Sequence, residues 1–252
     1  GREYSSAFYY YGLTSPGAAS AFQARQHFNL YGTTSEQLAA VPIAQRKHAM
    51  LNPGAIKKEP LDLEKYMNAR FICEPLRLYD YCLINDGGVA LIMTTAERAR
   101  DLKKKPVYIT GIGRQDTYRG SSLPNLELWR ETMPKAAEMV YGMAEVGRED
   151  MDALMIYDSF SINIWISLEN FGFCKPGEAG DFTQGGRIEL GGEIPINTHG
   201  GHLSESCMQA WLHQVEAVRQ LRHECGERQV KDARFIQYIC RANVATSIIY
   251  RN

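Results

Sequence analysis

The chain has 252 residues, of which 44% are hydrophobic, 23% charged and 10% aromatic. These are globular proportions, and they exclude a collagen-like, coiled-coil or disordered chain. Twenty-eight Lys and Arg nearly balance 29 Asp and Glu, so no charge excess points to nucleic acid or an anionic membrane.

The first twelve residues carry four tyrosines, Tyr4, Tyr9, Tyr10 and Tyr11, read as a packing arm. Residues 17–31 predict a helix on the spacing of Ala21, Ala24, Phe28 and Tyr31, with Gly32 to end it. Thr34 and Gln37 stand in capping-box register for the next helix. Pro42 should kink that helix or mark its first turn, and Asn52-Pro53-Gly54 stops it. A short helix is expected over 62–70, an apolar strand over 89–93 after the turn at Asp86-Gly87-Gly88, and a charged helix over 96–104. A strand over 107–111 precedes a helix with Pro134 in its first turn, ending at Gly147. Residues 153–157 predict a buried strand, followed by a helix carrying Ile162, Trp165, Ile166 and Glu169 that closes at Gly172. Residues 172–193 hold seven glycines and predict a long loop of the functional kind. A short strand at 194–197 and a helix over 204–222 follow. Trp211, Leu212, Val215, Val218 and Leu221 form the apolar face of that helix. Strands 234–240 and 246–250 should close the chain as a hairpin across Arg241-Ala242-Asn243.

Strand–helix alternation predicts an α/β layered fold with mixed, mostly parallel sheets. Chemistry in such folds gathers at strand carboxyl ends. That singles out Tyr157-Asp158, the stretch from Asn197 to Cys207, and Cys240 to Asn243. The six cysteines, Cys73, Cys82, Cys174, Cys207, Cys225 and Cys240, form no Cys-x-x-Cys pair, so neither a zinc site nor a disulfide scaffold is expected. No bound metal is anticipated. No apolar run reaches the roughly 18 residues of a membrane span, and the opening residues carry no secretory pattern. The expected location is cytoplasmic.

Several stretches are similar to the thiolase superfamily: Gly12-Leu13-Thr14-Ser15-Pro16, Tyr31-Gly32-Thr33-Thr34-Ser35, Asn85-Asp86-Gly87, Tyr157-Asp158-Ser159-Phe160 and Asn197-Thr198-His199-Gly200-Gly201. The resemblance is to sterol-carrier-protein-X or lipid-transfer thiolases and to thiolase-like steroid side-chain aldolases. It implies a thiolase-like fold lacking the first part of the amino-terminal half, with residues 1–104 the remainder of that half and 105–252 the carboxyl-terminal half. It implies a subunit that cleaves or forms a carbon–carbon bond in an acyl-CoA, as acyltransferase or lyase, with a retro-aldolase on a steroid-like side chain as one form. An ordinary thiolase acyltransferase, or an inactive scaffold subunit, are the alternatives. Coenzyme A would enter as part of the substrate, with no tightly bound cofactor. A homo-oligomer and an OB-fold/zinc-ribbon partner subunit are implied too.

Where thiolases carry a catalytic His after the Gly-Gly step, this sequence has Cys207. Where they close with Cys-x-Gly-Gly, it has Cys240-Arg241-Ala242-Asn243. Tyr157 offers a phenol at a strand end, although an ordinary pKa near 10 makes it a poor base at neutral pH. Cys207, expected at a helix start, would be thiolate-prone. Cys240, His199 and His202 complete the candidate catalytic set. Asn197, Gly200, Gly201 and Asp158 are the candidate substrate-binding residues, with Asp158 also a candidate cap for the helix starting near Ser159. Lys103-Lys104-Lys105 and Gly113-Arg114 could meet a CoA phosphate, but a solvated face explains the lysines as well.

Overall fold

The computed structural model describes residues 13, 15–116, 126–242 and 244–252. The amino-terminal tyrosine cluster and Asn243 lie outside the described residues. Helix α1, Pro16–Tyr31, begins at the Ser15 cap with proline in its first turn and ends on Gly32 in the left-handed conformation. Thr34 and Gln37 form the predicted capping box of α2, Ser35–Leu38. The chain breaks at Ala39 and resumes as α3, Ala40–Met50, with Pro42 in the first turn. Helix α4, Leu63–Met67, is capped by Asp62. A small hairpin, β1 Phe71–Cys73 and β2 Leu76–Arg77, follows.

Residues 89–93 are not a strand. Ile92 is 96% and Met93 78% exposed. An apolar run becomes a strand only where a neighbour supplies hydrogen bonds and a face to bury, and no described strand runs beside it. Helix α5, Ala96–Arg100, buries none of its residues and is shorter than expected.

The central sheet has the order β3-β6-β5-β4, built from β3 Tyr108–Asp116, β4 Ala153–Ile156, β5 Phe235–Arg241 and β6 Val244–Arg251. It is mixed, as expected, but with a different balance. Only β4–β5 is parallel; β5–β6, the predicted hairpin, and β3–β6 are antiparallel. Alternation along β4 sends Leu154 and Ile156 into one core and Ala153 and Met155 into another. The first core lies under α1, α6 (Leu126–Ala144) and α7 (Ile162–Asn170); the second lies under α10 (Trp211–Leu221). The sheet is thus covered on both faces.

Helix α6 starts eight residues before Pro134, which sits in its interior rather than its first turn. The buried face of Leu126, Trp129, Met133, Ala136 and Val140 runs straight through the proline, so packing outweighs the lost backbone hydrogen bond. Gly113 lets this helix lie against β3: a Cβ there would stand 2.0 Å from the Ala136 carbonyl oxygen.

Between α7 and α10 lie the short helices α8, Ala179–Phe182, and α9, Gly201–Ser204. The glycine-rich loop is pinned from inside: Glu169 Oε1 accepts from the Gly177 and Ala179 amides, and the Leu190 amide donates to His48 Nε2. Residues 194–197 make only an isolated bridge, Ile196 to Leu154, in place of the expected strand. The single helix expected over 204–222 is interrupted at 205–210, so that α9 and α10 are separate. Its predicted apolar face is also displaced. Trp211 is 56% exposed, while His213, Gln214, Glu216 and Gln220 are buried. These polar residues find partners inside: Glu216 pairs with Arg228, accepts from the Thr198 hydroxyl and receives the Gln220 amide, His213 bonds Asp158, and Gln214 accepts from Tyr250. No helix of the described residues is long and apolar enough to cross a membrane.

Candidate active site

Strand β4 delivers Tyr157 and Asp158 to its carboxyl end, and the turn after Asn197 folds over them. The Asn197 side chain acts as a substitute strand. Its Oδ1 accepts from the Ile156 amide at 2.7 Å and its Nδ2 donates to the Ile156 carbonyl at 2.8 Å. Both amide groups are spent and buried, which makes Asn197 a tie between loop and strand rather than a free oxyanion donor. Gly200 and Gly201 then take positive φ values of 108° and 60°. A Cβ on Gly201 would lie 2.2 Å from Asp158 Oδ2. Glycine here allows the carboxylate to reach the backbone.

Asp158 is fully buried, and three hydrogen bonds and a second imidazole surround it. The amides of His202 and Leu203 donate at 3.0 and 3.3 Å; His213 Nε2 lies at 2.9 Å and His202 Nδ1 at 3.5 Å from Oδ1. Burial would push this carboxyl up, but the His213 hydrogen bond, the two imidazoles and the His202 amide hold it below its ordinary range. Asp158 therefore caps the start of α9, not the helix near Ser159.

Three of these groups, Asp158, His202 and His213, bring potential metal-ligand atoms within 4.8 Å of one another. The hydrogen bonds describe a different use. The Ala210 amide donates to His202 Nε2 at 2.7 Å, so the lone pair of the neutral ring is on Nε2 and its proton on Nδ1, facing Asp158. A ligating Nδ1 would need that lone pair itself. The cluster is a carboxylate held by N–H groups. His202 stays neutral, its pKa drawn down to about 4 by burial and by His213.

His199 is also buried. Its ring packs 4.5 Å from His213, and its Nε2 lies 3.5 Å from Glu205 Oε2. Burial first, then the neighbouring imidazoles, hold it well below the ordinary histidine range. Burial pushes Glu205 the other way, to about 7. Glu205 borders a cavity of about 570 Å³ with Asp86, Ser206, Met208, Arg219 and Arg228.

The second group at this strand end is softer. Tyr157 is half-buried, packs edge-on against the His202 ring at 5.0 Å, and donates its hydroxyl to Gln209 Oε1 at 3.0 Å. Gln209 and Ala210 both adopt positive φ, 50° and 66°, a conformation costly for non-glycine residues. The same backbone twist aims Gln209 at Tyr157 and the Ala210 amide at His202. Burial, then the neighbouring Cys240, Cys207 and Cys82, push the phenol above its ordinary range.

Cys207 is not at a helix start. It lies in the break before α10, its amide donating to Asn85 Oδ1 at 2.8 Å. Its acidity has another source: a hydrogen bond from the Cys82 thiol draws it down to about 7 against the opposing effect of burial. Cys82 is pushed up in turn, chiefly by that hydrogen bond. Burial likewise raises Cys240, which bonds the Tyr238 hydroxyl. The structure therefore brings Tyr157, Cys207 and Cys240 into one electrostatic cluster and puts His202 against it. His199 is in the layer behind.

Sequence reasoning missed Cys82, Gln209, His213 and Glu205. His213 breaks the apolar pattern of its helix, which was a usable signal; Cys82 and Gln209 carried none. Among the basic candidates, Arg114 pairs with Asp116 and Lys104 with Glu224, both on the surface.

Residues 115–242 match the thiolase C-terminal domain-like family. A 17-hydroxy-3-oxo-4-pregnene-20-carboxyl-CoA lyase from Mycobacterium tuberculosis is 40% identical over 225 residues, covering 86% of this chain and 58% of the relative. A steroid side-chain-cleaving aldolase from Thermomonospora curvata is 37% identical, covering 84% and 56%. The chain thus spans little more than half the length of these relatives. A solved Ltp2-ChsH2(DUF35) aldolase superposes with a TM-score of 0.89 at 32% identity, over all of this chain and 68% of that one. The family match over half of the chain and the identity to these relatives establish that the chain belongs to the thiolase superfamily.

Proposed function

We propose that this chain is the bond-cleaving part of a carbon–carbon lyase acting on an acyl-CoA, running a retro-aldol on a bulky, steroid-like acyl group. The observation that carries this reading is the pairing of a lowered thiol with a raised phenol at one strand end. Cys207 is held below the ordinary thiol range by its neighbour Cys82; Tyr157, raised by burial, keeps its proton. The cleavage of a β-hydroxyacyl thioester requires one group that takes the hydroxyl proton and another that gives a proton to the strongly basic enolate.

In the proposed step the Cys207 thiolate takes the proton of the β-hydroxyl. The β-carbon becomes a carbonyl as the bond between the α- and β-carbons breaks, and its electron pair passes to the α-carbon as a thioester enolate. The Tyr157 hydroxyl donates to that enolate and protonates the α-carbon. Tyr157 thereby serves as acid, not base, because among the described residues no cation touches its hydroxyl. Cys82 holds Cys207 in the thiolate form. Cys240 stays protonated at the edge, and His202 sets the tyrosine ring. Asp158, Gly200 and Gly201 build the platform. Coenzyme A enters only as part of the substrate, and no tightly bound cofactor is invoked.

The names of the relatives support the lyase over the acyltransferase, and the aldolase complex supports a DUF35-type partner subunit for this chain as well. A zinc-ribbon and OB-fold character for that partner, a homo-oligomeric assembly, a cytoplasmic location and the division of the chain near residue 105 belong to the same proposal. The test is cleavage of a β-hydroxyacyl-CoA by the complete assembly, followed as release of the carbonyl product. Tyr157→Phe and Cys207→Ala should each slow turnover; full turnover in the double variant would leave the scaffold reading in its place.

A further inference from the structure

Gln209 and Ala210 stand side by side in the left-handed region, at φ 50° and 66°. Neither is glycine, and two such residues in succession persist only where the surroundings hold them there. Asn85 holds the entry to this turn: its Oδ1 accepts from the Cys207 amide and its Nδ2 donates to Ser206 Oγ, each at 2.8 Å. His202 holds the exit, its Nε2 accepting from the Ala210 amide at 2.7 Å. The same imidazole packs edge-on against the Tyr157 ring, 5.0 Å between centroids. The Tyr157 hydroxyl closes the circuit by donating to Gln209 Oε1 at 3.0 Å. One buried ring thus fixes the phenol on one side and the carboxamide on the other, and the strained turn brings the two together.

A phenol that keeps its proton needs an acceptor, whereas a phenolate needs a donor. The titratable neighbours offer an anion little. Cys240, Cys207 and Cys82 are thiols, which donate weakly, and the two nitrogens of His202 face Ala210 and Asp158. A carboxamide carries an acceptor and a donor on one carbon and exchanges them by a half-turn about Cγ–Cδ. Gln209 is exposed. Among the described residues its side chain makes no hydrogen bond besides that with Tyr157, so the half-turn breaks no other contact of this kind.

We propose that Gln209 is a positioning residue that serves Tyr157 before and after proton transfer: its Oε1 holds the hydroxyl hydrogen in the resting site, and a half-turn of the carboxamide then brings Nε2 to donate to the phenolate oxygen. This rests on the acid role of Tyr157 proposed above. The O–H bond of Tyr157 breaks, the C–H bond at the α-carbon forms, and Gln209 exchanges no proton. As the hydrogen swings toward the α-carbon, the phenol oxygen turns a lone pair to Gln209. A donor there gains strength as negative charge grows, so it favours the transition state over the resting site.

The test reads the acidity of the phenol directly. A fluorinated tyrosine at position 157, more acidic than tyrosine, is titrated by its absorbance in the complete protein without substrate. Gln209→Met keeps the length of the side chain and removes the carboxamide; Gln209→Glu keeps its shape and acceptors and adds a negative charge. Gln209→Met should raise the phenol pKa by about half a unit to one unit, the size of one net hydrogen bond to the charged form. Gln209→Glu should raise it further, by repelling the phenolate. The sign is decisive. An acceptor locked onto the phenol favours the protonated form, so its loss in Gln209→Met would lower the pKa; a purely structural turn would leave it unmoved. Either result overturns the proposal. With native Tyr157, Gln209→Met should lower kcat roughly 3- to 10-fold with KM held, and an unchanged kcat overturns it too. Because the side chain is exposed, a circular dichroism spectrum equal to that of the unaltered protein is expected for both variants; if one does not fold, the other decides alone by the direction of its shift. The two proposals fail separately. An unmoved or lowered titration with turnover lost in Tyr157→Phe removes Gln209 and leaves the acid role standing. Full turnover in Tyr157→Phe removes the acid role itself, and with it the use of Gln209.

Discussion

Asp158 and Tyr157 are adjacent in the chain, yet burial does opposite things to them. Asp158 is the more deeply buried, but two backbone amides and the His213 imidazole hydrogen-bond it, the His202 ring stands beside it, and it is held below its ordinary range. Tyr157 meets a carboxamide acceptor and three thiols, and burial keeps it protonated. Depth alone does not set the charge of a buried group; the number of donors facing it does. The Asp158 hub is architecture, with its protons fixed. In the thiol–phenol cluster next to it, Cys82 draws the Cys207 thiol down while burial holds the Tyr157 proton in place.

That contrast can be broken most forcefully by activity. Tyr157→Phe and Cys207→Ala are expected to lower kcat by about 10²- to 10⁴-fold, the usual worth of an acid or base, with little change in folding. Steady-state turnover and a denaturation curve on the same samples check this; a large stability loss in either variant would erase the distinction between the two clusters.

His213→Leu should behave the other way. It strips a donor from buried Asp158 and should cost about 1–3 kcal/mol of stability, read from the denaturant midpoint. A midpoint equal to that of the unaltered protein would show that the hub does not support the fold.

The hub should also govern acid sensitivity. The folded pKa of His202, about 4, lies below the unfolded value near 6.5, so between those pH values the unfolded chain binds a proton that the folded one refuses. Stability from this residue is present above pH 6.5 and is lost as pH falls toward 4, by about 1.4 kcal/mol per unit. Glu205, raised to about 7, opposes this slope from about pH 7 down to its unfolded range. His202→Gln should therefore flatten the acid limb of a stability–pH curve, and Glu205→Gln should steepen it. Parallel curves for both variants would contradict the assignments.

The smallest effect isolates the soft cluster. Alkylation of Cys207 by iodoacetamide should show a midpoint near pH 7. Cys82→Ala should move that midpoint up, toward the ordinary thiol value near 8.5. Peptide mapping by mass spectrometry follows the residue; an unchanged midpoint would remove Cys82 from the argument.

Much of this was legible along the chain. Ser15-Pro16, Gly32 and the Thr34–Gln37 pair are local signals, acting over three or four residues, and they appear in the fold as read. So do the buried strand before Tyr157 and the closing hairpin. The Gly200-Gly201 turn was equally visible, because positive φ is a demand of the backbone itself. The failures occur where a distant partner decides. Residues 89–93 have strand composition and no strand beside them. Pro134 sits inside a helix held by its apolar face. Helix α10 turns polar residues inward because Arg228, Thr198 and Asp158 receive them.

The amino-acid sequence by itself determined several helix ends, the tight turns and the placing of Tyr157, Asp158 and Cys240 at strand ends. Periodicity, capping and glycine geometry are properties of a few consecutive residues. Only the tertiary structure decided which group carries which proton. That depends on groups arriving from far along the chain: Cys82 at Cys207 and His213 at Asp158. Acidity is set by what surrounds a group in space, and those neighbours are assembled only on folding.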